Sequence, residues 1–305
     1  MYLYGTIFHV AKIIDFIGID AKICDFLGTT ERLCNFHQQQ LHMMQQVKAK
    51  KSLGQHFLTD LSIAQRIAHT VSEYQGLPLL EIGPGMGVLT QYLLQHDLKV
   101  VELDSESVNY LNASFPQLKG RIIEGDFLNL DLKQLCGDGK FVIIGNYPYN
   151  ISSQIFFKVL DYKDQVTCCS GMLQREVAQR IAAGPGSKVY GILSVLLQAW
   201  YDIEYLFTVD ENVFNPPPKV KSGVIKLVRN KVTQLGCNEK LFKTVVKTSF
   251  GMRRKTLRNS MRSLFPKDST VLQADIFQKR PEQLSVNQFI ELTNMVQAER
   301  ERLAK

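Results

Sequence analysis

Apolar residues at 61, 63, 64, 67, 68 and 71 of DLSIAQRIAHTVSEY recur every three or four positions behind Asp60, which suits an N-cap, so the stretch predicts a helix. LPLLEIG (77–83) is short and continuously apolar and predicts a buried strand, with a helix expected from about 86 to 95. LKVVELD (98–104) predicts a second strand and then a helix to about Phe115. RIIEGD (121–126) and KFVIIGN (140–146) read as the third and fourth strands, followed by a helix from Ser152. VTCCSGMLQ (166–174) reads as a fifth strand, with helices around 175–183 and 190–199. YDIEYLFTV (201–209) and SGVIKLVR (222–229) close the set. Strands and helices in alternation, with the strands almost wholly apolar, imply a parallel sheet covered on both faces. From Asn238 onward the pattern is helical only. The fold class expected is α/β: a doubly wound body over residues 45–232 and a small all-helical domain over 233–305.

The first 43 residues stand apart. KIIDFIG (12–18), KICDFLG (22–28) and RLCNFHQ (32–38) repeat at ten-residue spacing. Ten residues at about 100° each leave successive units about 80° out of phase on a helix, so no single apolar face is built. Three such units are also too short for a solenoid. Two readings stand: translated upstream sequence with a working start at Met43 or Met44, or a short amphipathic appendage. Either way, residues 1–44 are expected to lie outside the fold.

Composition adds a partner. With 305 residues, 45% of them hydrophobic, the chain can support one large domain and a smaller one. The net charge of +7 conceals an asymmetry: residues 219–305 hold 19 of the 36 Lys and Arg but 7 of the 29 Asp and Glu, leaving 17 bases against 22 acids before them. A basic C-terminal part beside a slightly acidic body points to a polyanion, the alternative being a solvated basic face. Cys24, Cys34, Cys136, Cys168, Cys169 and Cys237 form no C-x-x-C pair and no metal-like spacing with the six His. Free thiols in a reducing compartment, and no metal, are expected. No apolar run reaches the roughly 18 residues of a bilayer span. Lys12, Asp15, Asp20, Lys22 and Asp25 interrupt the apolar opening where a signal peptide would be unbroken. The expectation is a cytoplasmic protein without a membrane partner.

Gly83-Pro84-Gly85-Met86-Gly87 follows the first strand directly. Glycines there let the backbone pass close to a ligand, and a helix starting next would favour partial negative charge. Tight strand-to-helix turns use the same letters, so context decides. Glu102 ends the second strand, 19 residues past Gly83, where an acid accepts hydrogen bonds from ribose hydroxyls. Asp126 ends the third strand and Asn146 the fourth, so polar groups at successive strand ends line the crevice where open α/β sheets bind ligands. The turn departs from a dinucleotide fingerprint, with Gly at its fifth place and Val88 at its sixth, and Glu81 before it suits a cation better than a pyrophosphate. It resembles the nucleoside-sulfonium site of S-adenosylmethionine enzymes; NAD, or capped strand ends with no ligand, are the alternatives.

Gly145-Asn146-Tyr147-Pro148-Tyr149-Asn150 is richer than a strand-to-helix turn requires. An adenine amine is a poor nucleophile because its lone pair is delocalised into the ring. Two acceptors on its two N–H bonds can draw it toward a tetrahedral geometry and localise that pair. Asn146 supplies a side-chain oxygen, and Pro148, which has no N–H, fixes the turn so that a main-chain carbonyl can face the site. Tyr149 offers a ring for the base, worth roughly 1–3 kcal/mol of stacking. Attack on a methylsulfonium needs neither a metal nor a strong base, only alignment.

GNYPYN fits the N-[LIVY]-P-Y motif and thereby resembles the rRNA small-subunit adenine N6,N6-dimethyltransferase family. KKSLGQHFLTD (50–60), EIGPGMGVLT, VVELD, GDFLNLD, MLQREVAQRI and VFNPPPKVKSGVIKL match in family order, and only residues 1–43 fall outside. The resemblance implies a Rossmann-like S-adenosylmethionine-dependent methyltransferase domain. It implies donor contacts from His56, Leu58, Gly83, Glu102, Asp126 and Asn146, although many relatives carry Asn where His56 stands. Asn146, Pro148 and Tyr149 would be catalytic, and Phe214 would sandwich the target base opposite Tyr149; a core Phe beside the Pro216-Pro217-Pro218 turn is the alternative. Tyr147 replaces the more usual Leu. The implied substrate is two adjacent adenosines, four methyl groups in all, in a hairpin loop near the 3′ end of 16S rRNA, in the small ribosomal subunit or its precursor. A monomer is expected.

Between Lys240 and Lys267 lie nine Lys and Arg and no acid. Lys243, Lys247, Arg254, Arg258 and Arg262 recur at roughly helical spacing, while Phe242, Val246, Phe250, Leu257 and Met261 form an apolar stripe. An amphipathic helical pair broken near Gly251 is expected, presenting Lys247, Arg253, Arg254, Lys255, Arg258 and Arg262 to RNA. The rival enzyme readings are methylation of large-subunit rRNA or of DNA adenine. The non-enzyme rival is an assembly or transcription factor that keeps the fold without the chemistry.

Overall fold

The computed structural model describes residues 47–266 and 269–303. The ten-residue repeat and the starts at Met43 or Met44 lie outside them. The first elements are a two-residue strand β1 (Phe57–Leu58) and helix α1 (Leu61–His69), whose Asp60 carboxylate caps it by accepting from the Ser62 and Ile63 amides at 2.9 and 3.3 Å. Its Ala64, Ile67 and Ala68 are buried, as the spacing requires.

Then follow β2 (Pro78–Ile82), β3 (Asp97–Glu102), α2 (Ser105–Ser114), β4 (Ile122–Glu124), α3 (Leu132–Cys136) and β5 (Phe141–Asn146). The next elements are α4 (Ser152–Asp161), β6 (Val166–Gln174), α5 (Arg175–Ala182), α6 (Ile192–Gln198), β7 (Tyr201–Val209), β8 (Phe214–Asn215) and β9 (Ser222–Arg229). Seven strands form one sheet in the order β4-β3-β2-β5-β6-β9-β7. Strands β4 through β6 run parallel, but β9 is antiparallel to both β6 and β7. The sheet is therefore mixed, not parallel throughout. A parallel neighbour needs a crossover of a dozen or more residues, usually helical. The link over residues 210–221 holds only a short 3-10 turn (Glu211–Val213), β8 and three prolines, so the chain returns antiparallel.

The period of two sorts side chains between the faces. On β5, Val142 and Ile144 join a core with α1, while Phe141 and Ile143 join the opposite core; on β6 the neighbours Cys168 and Cys169 divide the same way. Each such fully buried aliphatic side chain stabilises the fold by roughly 1.5–3 kcal/mol.

The helix expected over 86–95 does not form; the segment is a chain of turns with one 3-10 turn, Thr90–Tyr92. Gly87 has φ 77°, and its amide donates to the Pro84 carbonyl at 2.8 Å, closing a turn where a helix would begin. A Cβ on Gly87 would stand 2.3 Å from the Phe115 ring, so the glycine also admits a close neighbour. The third strand is likewise shorter than expected, ending at Glu124 and leaving Asp126 two residues beyond it.

After β9 come α7 (Glu239–Gly251), the one-turn α8 (Leu257–Ser260), several 3-10 turns and α9 (Val286–Leu303). Phe242, Val246, Phe250, Leu257 and Met261 are all buried. They belong to the core that also holds Phe141 and Ile143, together with Leu193 and Leu197 of α6 and Phe289 and Leu292 of α9. One apolar core thus runs from the sheet into the C-terminal helices. No helix among the described residues is long and apolar enough to cross a membrane.

Candidate active site

A cleft of about 190 Å³ opens at the C-terminal ends of β2, β3 and β5, closed on one side by residues 53–58. His56, Leu58, Gly83, Glu102, Asp126, Asn146, Pro148 and Tyr149 all line it. The sequence separates these residues by up to 93 positions; the parallel register of the central strands brings them together.

Glu102 is buried at the end of β3. One carboxylate oxygen accepts from the Gly85 amide at 2.9 Å, the other from the Leu103 and Asp104 amides at 2.9 and 3.0 Å. It fixes the glycine turn while keeping lone pairs for a ligand. Burial pushes its carboxyl above the ordinary range, against those three N–H bonds. Gly83 and Gly85 have φ of 66° and 55°, and a Cβ on Gly85 would come within 3.1 Å of the Phe57 ring. Glycine is therefore required both for the turn and for the approach of β1.

Glu81 is 1% exposed and lines the same cleft. Its Oε2 accepts from Thr90 Oγ1 at 2.7 Å, and its Oε1 has no partner. Burial, reinforced by Glu102, pushes its carboxyl up to about 8. Asp126 caps a 3-10 turn (Phe127–Asn129), accepting from the Leu128 amide at 2.9 Å and from Asn129 Nδ2 at 2.8 Å. The free lone pairs of Glu102, beside a backbone cradle that excludes side chains, fit the hydroxyls of a nucleoside.

Residues 50–58 are held over the cleft from both sides. Lys50 pairs with Asp104, and with Glu106 at 3.0 Å; Gln55 Nε2 donates to Asp104 at 3.3 Å. Burial alone would raise Asp104, yet Lys50, Ser107 and Gln55 hold its carboxyl below the usual range. On the far side, β1 pairs with β8, Leu58 opposite Phe214, and His56 Nδ1 lies 2.8 Å from the Pro216 carbonyl.

The turn after β5 carries the remaining groups. Asn146 Nδ2 donates to the His56 carbonyl at 3.4 Å, which assigns the amide's donor edge to the β1 segment and leaves its oxygen as the edge free to accept. The Pro148 carbonyl accepts weakly from the Ile151 amide at 3.3 Å. Tyr149 packs beside His56, ring centroids 5.5 Å apart, and its hydroxyl is hydrogen-bonded to Ser222. Burial raises the Tyr149 phenol above its ordinary range, and Ser222 opposes the rise.

One expected feature falls elsewhere. Phe214 is 4% exposed and packs with Leu58 in the α1-side core; it does not line the cleft. Pairing of β8 with β1 turns its ring inward. Tyr147 borders the cleft but sends its ring into the core: its hydroxyl donates to the Ser170 carbonyl at 2.7 Å and its ring meets Phe156 edge-on at 5.7 Å. It fits because its neighbours are glycines. A Cβ on Gly145 or Gly171 would stand 3.0 or 2.8 Å from the Tyr147 ring.

On the basic surface, Lys247, Arg254, Lys255, Arg258 and Arg262 are exposed, while Arg253 is half-buried and donates to the Lys188 carbonyl. Lys247 also lies 5.6 Å from the Phe157 ring. Ser222, the β1–β8 pairing and the Lys50–Asp104 contact escaped sequence reasoning, because each joins segments at least 54 residues apart without a local pattern.

The family model described as ribosomal RNA adenine dimethylase matches residues 46–298. The chain is 70% identical over 263 residues to ribosomal RNA small subunit methyltransferase A of Parabacteroides distasonis, covering 86% of this chain and 98% of that one. To the protein of the same name in Phocaeicola vulgatus it is 66% identical, covering 83% and 91%. Among solved structures it is similar to a dimethyladenosine transferase from Plasmodium falciparum, with TM-score 0.67 and 24% identity over 80% of this chain and 98% of that one. It is also similar to the 23S rRNA methyltransferase ErmE, with TM-score 0.57 and 25% identity over 77% and 99%.

Proposed function

The chain belongs to the ribosomal RNA adenine dimethylase family, and from that premise we propose how its cleft works and which adenosines it serves. The protein is an rRNA adenine dimethyltransferase that uses S-adenosylmethionine. When bound, S-adenosylmethionine supplies an electrophilic methyl on a positively charged sulfur. Glu102 accepts hydrogen bonds from the donor's ribose hydroxyls, Asp126 contacts its nucleoside, and Gly83, His56 and Leu58 enclose it. Asn146 Oδ1 accepts one N–H of the target adenine amine and the Pro148 carbonyl the other. Together they localise the lone pair and aim it, so catalysis is positional. No group need remove a proton beforehand, because the amine becomes acidic only after attack. Tyr149 stacks on the base, its ring steadied by Ser222 and His56. Phe214, enclosed behind β1, supports Leu58 and the cleft wall; a base meets it only if the β1–β8 ribbon opens.

The proposed substrate is two adjacent adenosines in a hairpin loop near the 3′ end of 16S rRNA, within the small ribosomal subunit or its precursor. Loop bases unstack at low cost, which suits a pocket that must receive a flat ring. Relatives at 58–70% identity that carry a small-subunit methyltransferase name favour this over a large-subunit target. Arg254, Lys255, Arg258, Arg262 and Lys247 contact phosphates, and Arg253 sets the 184–188 loop beside them. The enzyme works as a monomer in the cytoplasm and plays a part in small-subunit biogenesis, without a metal.

The observation that carries the reading is the amide of Asn146, its donor edge on the His56 carbonyl and its acceptor edge free, in one cleft with Glu102 and Tyr149. The test uses purified protein, undermethylated small subunits and labelled donor, followed by nuclease digestion and mass spectrometry. Label in dimethyladenosine from that loop is expected. Bare adenosines, or label in large-subunit rRNA or DNA only, would discard the assignment.

A further inference from the structure

Lys158 lies on α4, the helix that begins just after the catalytic turn, and it belongs to no motif. Its ammonium donates to the carbonyls of Leu128, at 3.0 Å, and of Leu130. It also stands 5.2 Å from the centre of the Phe127 ring. Those three residues form one short loop, and Gly125, Asp126, Phe127 and Leu128 of that loop line the cleft. The loop has little backbone support of its own: one 3-10 turn, closed by bonds from Asn129 to Asp126 at 3.0 Å and from Leu130 to Phe127 at 3.4 Å. A half-buried cation thus supplies the donors that a longer strand β4 would have provided. Burial lowers the lysine against the pull of Asp126, Asp131 and Asp161, so its charge is kept there at some cost. Hydrogen bonds from a charged group repay such a cost better than neutral ones.

We propose that Lys158 is a positioning residue for the methyl donor, locking the 125–130 loop so that Asp126 faces the donor's nucleoside. The inference rests on the reading that this cleft holds S-adenosylmethionine. It implies that one helix fixes both ends of the donor site, the catalytic turn at its start and the nucleoside loop near its end. Lys158 touches neither donor nor substrate, so its effect must pass through the loop.

Calorimetry on Lys158→Met and Lys158→Arg tests this, with S-adenosylmethionine and 5′-methylthioadenosine as probes, the second lacking the amino-acid end. The Met variant is expected to bind both about tenfold more weakly, and the Arg variant to regain most of the loss. At saturating donor kcat should hold while the KM for donor rises, a split that general loosening would not give. Wild-type affinity for both probes in the Met variant would overturn the inference, as would weakening confined to S-adenosylmethionine. Should Lys158→Met fail to fold, Lys158→Gln and amide exchange at 127–130 in the wild type replace it; exchange that methylthioadenosine does not slow overturns it equally. A wild type that binds neither probe overturns the donor reading of the cleft and this inference with it.

Discussion

On the proposed reading, the turn at 146–150 and the basic surface at 247–262 would meet the same substrate under opposite rules. In the turn, each group is held on one side: Asn146 Nδ2 by the His56 carbonyl, Tyr149 by Ser222 and the Pro148 carbonyl by the Ile151 amide, while the Asn146 oxygen stays free to accept. On the surface, Lys247, Arg254, Lys255, Arg258 and Arg262 stand exposed on a scaffold anchored by its buried stripe. One region works by geometry at the scale of a hydrogen bond, the other by summed charge over a Debye length. Loss of one group should therefore be catastrophic in the first and graded in the second.

The largest expected effect is in the turn. Asn146→Ala should lower kcat by at least about 10²–10³-fold while donor binding stays measurable, read by single-turnover methyl transfer and calorimetry. Turnover near wild type would break the comparison at its root. Glu102→Ala should weaken S-adenosylmethionine binding by about tenfold to a hundredfold, because it removes a ligand and frees the Gly85 amide together. Next comes a pH effect. Glu81 is held near 8 in the fold against an ordinary 4.5, so between those values the folded state keeps a proton that the unfolded chain has released. Stability must then fall as pH rises through that window and level off above it. Glu81→Gln should flatten the slope and raise stability at pH 8 by on the order of 2 kcal/mol, with little change at pH 4.5, measured by denaturant melts. The smallest effects belong to the surface. Arg254→Ala or Arg258→Ala should each weaken RNA binding only a few-fold and reduce the salt slope by about 0.7–0.9 per lost phosphate contact. A collapse of binding from either change would place that arginine under the first rule.

Sequence reading reached most of this where chemistry is local. The bounds of β6, β7 and β9 follow from apolar runs between turn residues, and Asp60 marks the start of α1. Glu102, Asp126 and Asn146 were legible because each closes a strand or stands just past one. What failed was non-local. The left-handed Gly87 converts a helical apolar pattern into turns, and only the fold shows which conformation it takes. The antiparallel β9 depends on what the 210–221 link lacks, not on β9 itself. The interior place of Phe214 comes from a two-residue pairing with β1, too short for any periodicity to announce. Lys158 looks like a stray charge in SSQIFFKVLD until the Leu128 and Leu130 carbonyls come into view.

The apolar core continues without a break from Phe141 and Ile143 through Leu193 and Leu197 to Phe250, Phe289 and Leu292, joining the sheet to the C-terminal helices. The span from cationic surface to catalytic turn is then a built-in gauge, cut once when the chain folds. On the proposed reading, an rRNA seated on the arginines would present its loop at one fixed reach. If two neighbouring adenosines are the substrate, as proposed, moving from one to the next would then fall to the nucleic acid shifting along the protein, with the enzyme acting as the anvil.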